Sequence, residues 1–284
     1  MTTWIKGAPK VAFISGAGSG IGLQIAKALL SDGASLALFD LRVDDAVLES
    51  LRRGCCKKGQ RVEVFTVDIS QAASVDSAIE AAVGSLGAPD FAFNSAGILR
   101  TALFTELPAE TFELVIRINL IGSRNFAAGI LRYMKPGGHL ALVASLAGII
   151  GGYTQAAYGA SKFGVVGLAE VLRLEQKPCG IDVSVICPGE ISTPLLDHER
   201  QHGSKVTEAL NATAGVLTVE QAVAGILQGL RKREFMITPG FKARFLRGMA
   251  RKASGLMRWM TDKTLAGALA DEQKRLRKLD QKSA

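Results

Sequence analysis

The feature that most constrains this chain is a regular alternation of short apolar runs with helical stretches. Val11–Ser15, Leu36–Asp40, Val62–Asp68, Phe91–Asn94, Leu140–Ser145, Val183–Pro188 and Phe235–Thr238 read as strands. Helix-like segments fall between them, near 21–31, 44–58, 71–86, 109–134, 156–176 and 219–233. Strand and helix in turn predict an α/β fold, a Rossmann-like doubly wound parallel sheet of about seven strands. Several strands are apolar on both faces, as a sheet covered by helices on each side requires. Phe112 to Leu131 is apolar nearly all round, so this helix belongs in the core or at a subunit contact. The longest apolar stretch, Leu140 to Tyr153, is too short and too glycine-interrupted to span a bilayer as a helix.

Charge divides the chain. Residues 1–239 carry 22 Lys/Arg and 22 Asp/Glu, whereas residues 240–284 carry 12 basic and 4 acidic residues. The net charge of +8 therefore resides in the tail. We expect a catalytic nucleotide-binding domain over 1–239 and a basic, helical C-terminal extension over 240–284. In that extension Phe241, Phe245, Met249, Ala253, Met257 and Met260 recur at spacings of three and four, with Lys and Arg between them. This predicts an amphipathic helix over 241–263, followed by a polar helix around 264–281. Two readings stand: the helix lies on an anionic membrane surface with Trp259 at the interface, or it packs on the protein or a second subunit. Nucleic acid is disfavoured, because no stacking platform accompanies the basic run.

Cys55, Cys56, Cys179 and Cys187 show no metal spacing. Neighbouring cysteines rarely pair with each other, and no signal peptide opens the chain, so a reducing cytoplasmic setting with no metal site is expected.

Ser15-Gly16-Ala17-Gly18-Ser19-Gly20-Ile21-Gly22 directly follows the first strand and opens the first helix. Small residues there let backbone N–H groups and a helix N-terminus approach a pyrophosphate. Asp40 ends the second strand, eighteen residues after Gly22. A carboxylate at that place accepts both ribose hydroxyls and repels a 2′-phosphate, so NAD is expected ahead of NADP; the nearby Arg42 weakens that preference. Asp68 and Asn94-Ser95-Ala96-Gly97 fall at the same carboxyl edge of the sheet.

Tyr158 and Lys162 are four apart on one helix face. An ammonium beside a phenol stabilises the phenolate, which suits tyrosine to proton transfer. Ser145, thirteen residues earlier at a strand end, can reach the same edge and hydrogen-bond a reacting oxygen. Asn119 sits in the long apolar helix, where its amide needs partners. It either holds a water that relays protons from Lys162 or bonds local backbone.

These residues together closely resemble the short-chain dehydrogenase/reductase family, with matches from Lys10 to about Gly240. They comprise Ser15-Gly16-x-x-x-Gly20-x-Gly22, Asp40, Asp68, Asn94-x-Ala96-Gly97, Asn119, Ser145, Tyr158-x-x-x-Lys162 and Pro188-Gly189-x-Ile191-x-Thr193. The resemblance implies a catalytic tetrad of Asn119, Ser145, Tyr158 and Lys162. It implies ribose contacts from Lys162 and carboxamide contacts from Ile191 and Thr193. The expected cofactor-binding set is Gly16, Ser19, Gly20, Ile21, Gly22, Asp40, Asp68, Ile69, Asn94, Ala96, Gly97, Tyr158, Lys162, Pro188, Gly189, Ile191 and Thr193. Three positions depart from the family pattern: Ser15 for threonine, Ser95 for a second asparagine, and the charged Glu190. Glu190 either biases substrate choice or points to water. The glycine spacing argues against the extended epimerase and dehydratase group.

The expected activity is therefore NAD(P)-dependent interconversion of an alcohol and a carbonyl, in a homodimer or homotetramer. The alternative is a catalytically silent cofactor-bound sensor or scaffold. Leu146, Ile149, Ile150, Tyr153, Leu195, Leu196 and Leu210 fall in the expected pocket segments and point to a lipophilic substrate. The segment 194–216 is expected to form a mobile cover over it.

Overall fold

The computed structural model describes residues 3–193, 196 and 204–283. The strands are β1 (Val11–Ser15), β2 (Ser35–Asp40), β3 (Val62–Thr66), β4 (Phe91–Asn94), β5 (His139–Val143), β6 (Asp182–Ile186), β7 (Glu190–Ile191), β8 (Val216–Leu217) and β9 (Met236–Ile237). Seven of them form one sheet in the order β3-β2-β1-β4-β5-β6-β9, and β7 pairs with β8 beside it. Every pairing is parallel. The expected doubly wound sheet is the one observed.

Helices α1 (Gly20–Asp32), α2 (Asp45–Arg53), α3 (Ala72–Leu86), α4 (Ala109–Ile116), α5 (Gly122–Leu131) and α6 (Ala156–Gln176) fill the crossovers. They are followed by α7 (Lys205–Asn211), α8 (Val219–Arg231), α9 (Phe241–Lys252) and α10 (Ser254–Ser283). Local chemistry sets several ends. Gly33, at φ 103°, ends α1 by donating to the carbonyls of Leu29 and Leu30. Thr218 and Gln221 form a reciprocal capping box that starts α8.

Alternate strand residues feed two cores, one on each face of the sheet. Phe13 and Phe39 join Ile79, Phe126, Val165 and Val185 on one face. Ile14 and Leu38 join Ile25, Leu29, Phe93, Ile226 and Leu230 on the other. Each such side chain contributes roughly 1.5–3 kcal/mol when fully buried. The sheet is thereby a rigid platform, and its carboxyl edge is free to carry loops.

Four strands are shorter than expected; β9 loses a residue at each end, leaving Met236–Ile237. Strands β3, β5 and β6 end two residues early, at Thr66, Val143 and Ile186. Ala144 still donates to the carbonyl of Ile186, but Ser145 then caps a 3-10 turn over Leu146–Gly148. Pro188 has no N–H to continue a ladder. Asp68, Ser145 and Pro188 thus stand just beyond the sheet rather than on it.

The run Ala109–Leu131 is the one helical stretch among the described residues long and apolar enough to cross a membrane, and half of it is buried in the fold. It is interrupted by a π-helical turn, Arg117–Ile121. The tail also differs from expectation. Its amphipathic helix does not run on to 263: Ala253 leaves the helical region (φ −140°, ψ 51°), and α10 starts at Ser254. Ser254 and Gly255 are poorer helix formers than Ala, which lowers the cost of a break there.

Candidate active site

Sheet order reverses between β1 and β4, and the glycine loop rises from that point. Register sets Ser15 beside Asn94, so the loop and the segment 94–97 are neighbours. A Cβ on Gly16 (φ 71°) would lie 2.5 Å from the backbone nitrogen of Ala96. A Cβ on Gly22 would collide with the carbonyl of Gly16 and the hydroxyl of Ser95. Gly20 (φ 54°) is different: a Cβ there would meet only the Thr193 methyl, in ordinary contact at 3.8 Å. Two glycines therefore permit close packing, and the third keeps the surface of the loop bare.

Ser19 stands at the N-cap of α1, yet no side chain caps the helix and its first turn holds no acid. The N-terminal N–H groups of α1 lack the side-chain partner that helix starts normally have. Asp40 reaches back to this loop, accepting from Gly18 N–H at 2.9 Å. Asp68 accepts from Ser70 N–H at 2.9 Å, and Ile69 is buried under Gly122, its carbonyl accepting from Asn125. Asn94 donates to Ser123 and accepts from Ala96 N–H, while the Ser95 hydroxyl donates to the carbonyl of Ser15. Ser95 thus ties β4 to β1.

Ser145, Tyr158 and Lys162 converge on one cavity of about 460 Å³. Ile21, Gly97, Pro188, Gly189, Ile191 and Thr193 line it as well. Asp40, Asp68 and Asn94 lie along the sheet edge outside that lining. The Ser145 hydroxyl accepts from Ala147 N–H at 3.1 Å. Lys162 is buried, its Nζ 5.5 Å from the centroid of the Tyr158 ring. Burial pushes the Lys162 pKa down to about 8.

Asn119 is fully buried in the π-helical turn and sits behind the cavity rather than in its wall. Its Oδ1 accepts from Ile98 N–H at 2.8 Å, and its Nδ2 donates to Ile98 carbonyl and Ser161 Oγ at 2.9 and 3.0 Å. The amide thereby splints the loop after β4 to helix α6. These partners are distant in sequence, not the local backbone that sequence reasoning offered. A π turn adds one residue to the helical register, a device common at functional sites.

Leu146, Ile150, Tyr153, Leu196 and Leu210 line the cavity as expected. Ile149 instead packs into the neighbouring core clusters, and Leu195 lies outside the described residues. Of the expected cover, 194–195 and 197–203 also lie outside them, while its later part folds as α7, a 3-10 turn and the start of β8. Sequence reasoning missed the far wall: Leu246 of α9 and Met257, Met260, Thr261, Thr264 and Leu265 of α10 complete the lining. Met257 and Met260 were legible as an apolar stripe, but the stripe does not say what it covers. The Thr261 and Thr264 hydroxyls donate to carbonyls of their own helix. All four cysteines are free, and burial holds the Cys187 thiol up at about 12, so it stays protonated.

A family model for short chain dehydrogenases matches residues 10–204. The chain belongs to the short-chain dehydrogenase/reductase family. A short-chain dehydrogenase/reductase of Armillaria gallica is 34% identical over 240 residues, 81% of this chain and 92% of the relative. D-beta-hydroxybutyrate dehydrogenase of Cupriavidus necator is 32% identical over 232 residues, covering 81% of this chain and 86% of that enzyme. Among solved structures, a short-chain dehydrogenase/reductase of Burkholderia phymatum in complex with NAD superposes with a TM-score of 0.74. It is 24% identical and covers 88% of this chain and 95% of its own, a likeness of fold. The short-chain dehydrogenase/reductase family comprises oxidoreductases that use a nicotinamide cofactor, and its members act on small molecules.

Proposed function

We propose that this family member is an NAD-dependent dehydrogenase or ketoreductase that interconverts a lipophilic alcohol and its carbonyl, with Tyr158 as acid/base. The observation that carries this reading is the convergence of Ser145, Tyr158 and Lys162 on one largely apolar cavity.

The sheet edge fits a dinucleotide. The uncapped N-terminus of α1 offers free N–H groups to a pyrophosphate, and the bare surface at Gly20 leaves room for it. Asp40 supplies a carboxylate for the adenosine ribose, which favours NAD over NADP. Asp68, Ile69, Asn94, Ala96 and Gly97 border that edge; Pro188, Gly189, Ile191 and Thr193 face the reacting end. When bound, nicotinamide supplies the hydride acceptor or donor.

The protein's own groups handle the proton and the geometry. Ser145 hydrogen-bonds the substrate oxygen and holds it beside the phenol. Tyr158 takes the hydroxyl proton in oxidation and returns it in reduction. Lys162, protonated at neutral pH, favours the phenolate electrostatically. Asn119 positions Lys162 indirectly, by fixing Ser161 and the loop carrying Ile98.

Substrate class follows from the wall. Leu146, Ile150, Leu196, Leu210, Leu246, Met257 and Leu265 present apolar surface, and Glu190 is the one carboxylate among the described lining residues. Such a wall suits a hydrocarbon-rich alcohol and offers little to a phosphate. A homo-oligomer is supported by exposed Leu114, Ile121, Phe163, Val171 and Leu174 on helices α4 and α6 and the π turn between α4 and α5. Free thiols agree with a reducing cytoplasmic setting.

The test is a turnover screen of secondary and long-chain alcohols with NAD and with NADP. Preference for NAD and rising kcat/KM with chain length are expected. Absence of turnover with either cofactor would overturn the reading.

A further inference from the structure

The inner faces of α9 and α10 are accounted for by the cavity wall and by the small core of Leu146, Ala243 and Leu246. The outer faces are not. Phe241 is 77% exposed, Phe245 57%, Leu256 52% and Trp259 58%. Phe245 and Leu246 are chain neighbours, one in water and the other in the cavity wall. Large side chains of this kind, grouped within residues 241–259, are unusual on a surface that faces only water.

Their electrostatic surroundings are one-sided. Residues 241–263 contain seven basic residues and one acidic one, Asp262. Arg247 is used internally, donating to Met236 carbonyl and Thr238 Oγ1. Arg244, Arg251, Lys252 and Arg258 are exposed and form no ion pair among the described residues. Lys263 lies over the Trp259 ring, 5.2 Å from its centroid. Farther along α10 the pattern ends: the helix turns polar and mixed in sign, with Lys274 paired to Asp271.

We propose that the outer faces of α9 and α10, over residues 241–263, dock on an anionic lipid bilayer. Phe241, Phe245, Leu256 and Trp259 enter the interfacial zone while Arg244, Arg251, Lys252 and Arg258 meet acidic headgroups. Exposed aromatic anchors in a segment with seven basic residues against one acidic match a negatively charged apolar interface. The same two helices wall the cavity, so docking brings the substrate site to the membrane, where a lipophilic alcohol is concentrated. That last point rests on the function proposed above; docking itself is read without turnover, so either can fail alone.

The experiment is flotation of the full chain with vesicles. Phosphatidylcholine containing about a third phosphatidylglycerol should carry the protein upward at low salt, and pure phosphatidylcholine should not. Raising NaCl to about 0.5 M should cut the bound fraction several-fold. A triple variant, Phe241→Ser with Phe245→Ser and Trp259→Ser, should lose at least about tenfold in binding, since three anchors are removed. A charge variant, Arg244→Glu with Arg251→Glu and Arg258→Glu, should bind no better to anionic than to neutral vesicles. Both variants should melt like the wild type and keep turnover of a water-soluble alcohol. A wild-type chain that stays at the bottom with anionic vesicles overturns the proposal. So does a triple variant that floats normally, or one whose sedimentation falls to a smaller species, which would make the face a subunit contact.

Discussion

The Nζ of Lys162 donates to the main-chain carbonyl of Val143 at 2.9 Å, joining helix α6 to the end of strand β5. This bond holds a buried cation in place at a cost, because burial lowers the Lys162 pKa from 10.5 to about 8. Between those values the unfolded chain keeps a proton that the native chain has released. Stability therefore rises with pH across that window, and the full penalty is felt below about 8. We expect Lys162→Met apoprotein to lack this rise. Melting temperatures of wild type and variant, followed from pH 7 to 10.5, should differ in slope over that window; parallel curves would remove the buried-cation account.

Tyr158→Phe should lower kcat by about 10²–10⁴-fold, the usual contribution of a positioned acid/base. The ring remains and only the hydroxyl is lost, so NADH binding, followed by its fluorescence, should change little. Near-normal turnover would mean that another group handles the proton.

Asp40 accepts from Gly18 N–H at 2.9 Å, which holds its carboxylate at the glycine loop, the proposed place of the adenosine ribose. Asp40→Ala should raise KM for NAD by about 10–100-fold, as expected when charge-assisted hydrogen bonds are lost. It should also narrow the gap to NADP by removing a repulsive charge. An unchanged ratio of kcat/KM for the two cofactors would place the discrimination elsewhere.

Gly16 has a φ of 71° and no room for a Cβ against the Ala96 backbone. Gly16→Ala should lower the melting temperature and abolish cofactor binding together, because the obstruction is main chain and cannot rotate away. Calorimetry with and without NAD checks both effects. Wild-type binding in the variant would show that the loop tolerates movement.

Leu265 lines the far wall of the cavity from α10. Leu265→Gln places an amide in an apolar wall and should raise KM for long-chain alcohols several-fold while sparing short ones. An equal effect on both would argue that α10 does not touch the substrate.

Much of the candidate site is legible in the residues alone. Tyr158 and Lys162 share a helix face because of their spacing, and the glycine loop announces itself by falling between a strand and a helix. The partners of Asn119 were not legible. Its burial in an apolar helix demands satisfied polar groups, but Ile98 and Ser161 are brought to it only when the loop after β4 packs on α6. The π-helical turn that carries it has no signature of its own in the residues Arg117–Ile121. Strand ends were overextended because Asp68, Ser145 and Pro188 follow apolar runs whose hydrophobicity continues after the pairing stops.

The sequence by itself determined the order of elements, the parallel sheet and the residues gathered at its carboxyl edge. Those follow from periodicity, glycine placement and the short reach of local hydrogen bonds. Only the tertiary structure decided what the tail does. An amphipathic stripe specifies that one face must be covered, and the identity of the cover depends on distant surfaces. Folding sets Leu246, Met257, Met260 and Leu265 against the cavity of Ser145, Tyr158 and Lys162, and it leaves Phe241, Phe245 and Trp259 facing outward.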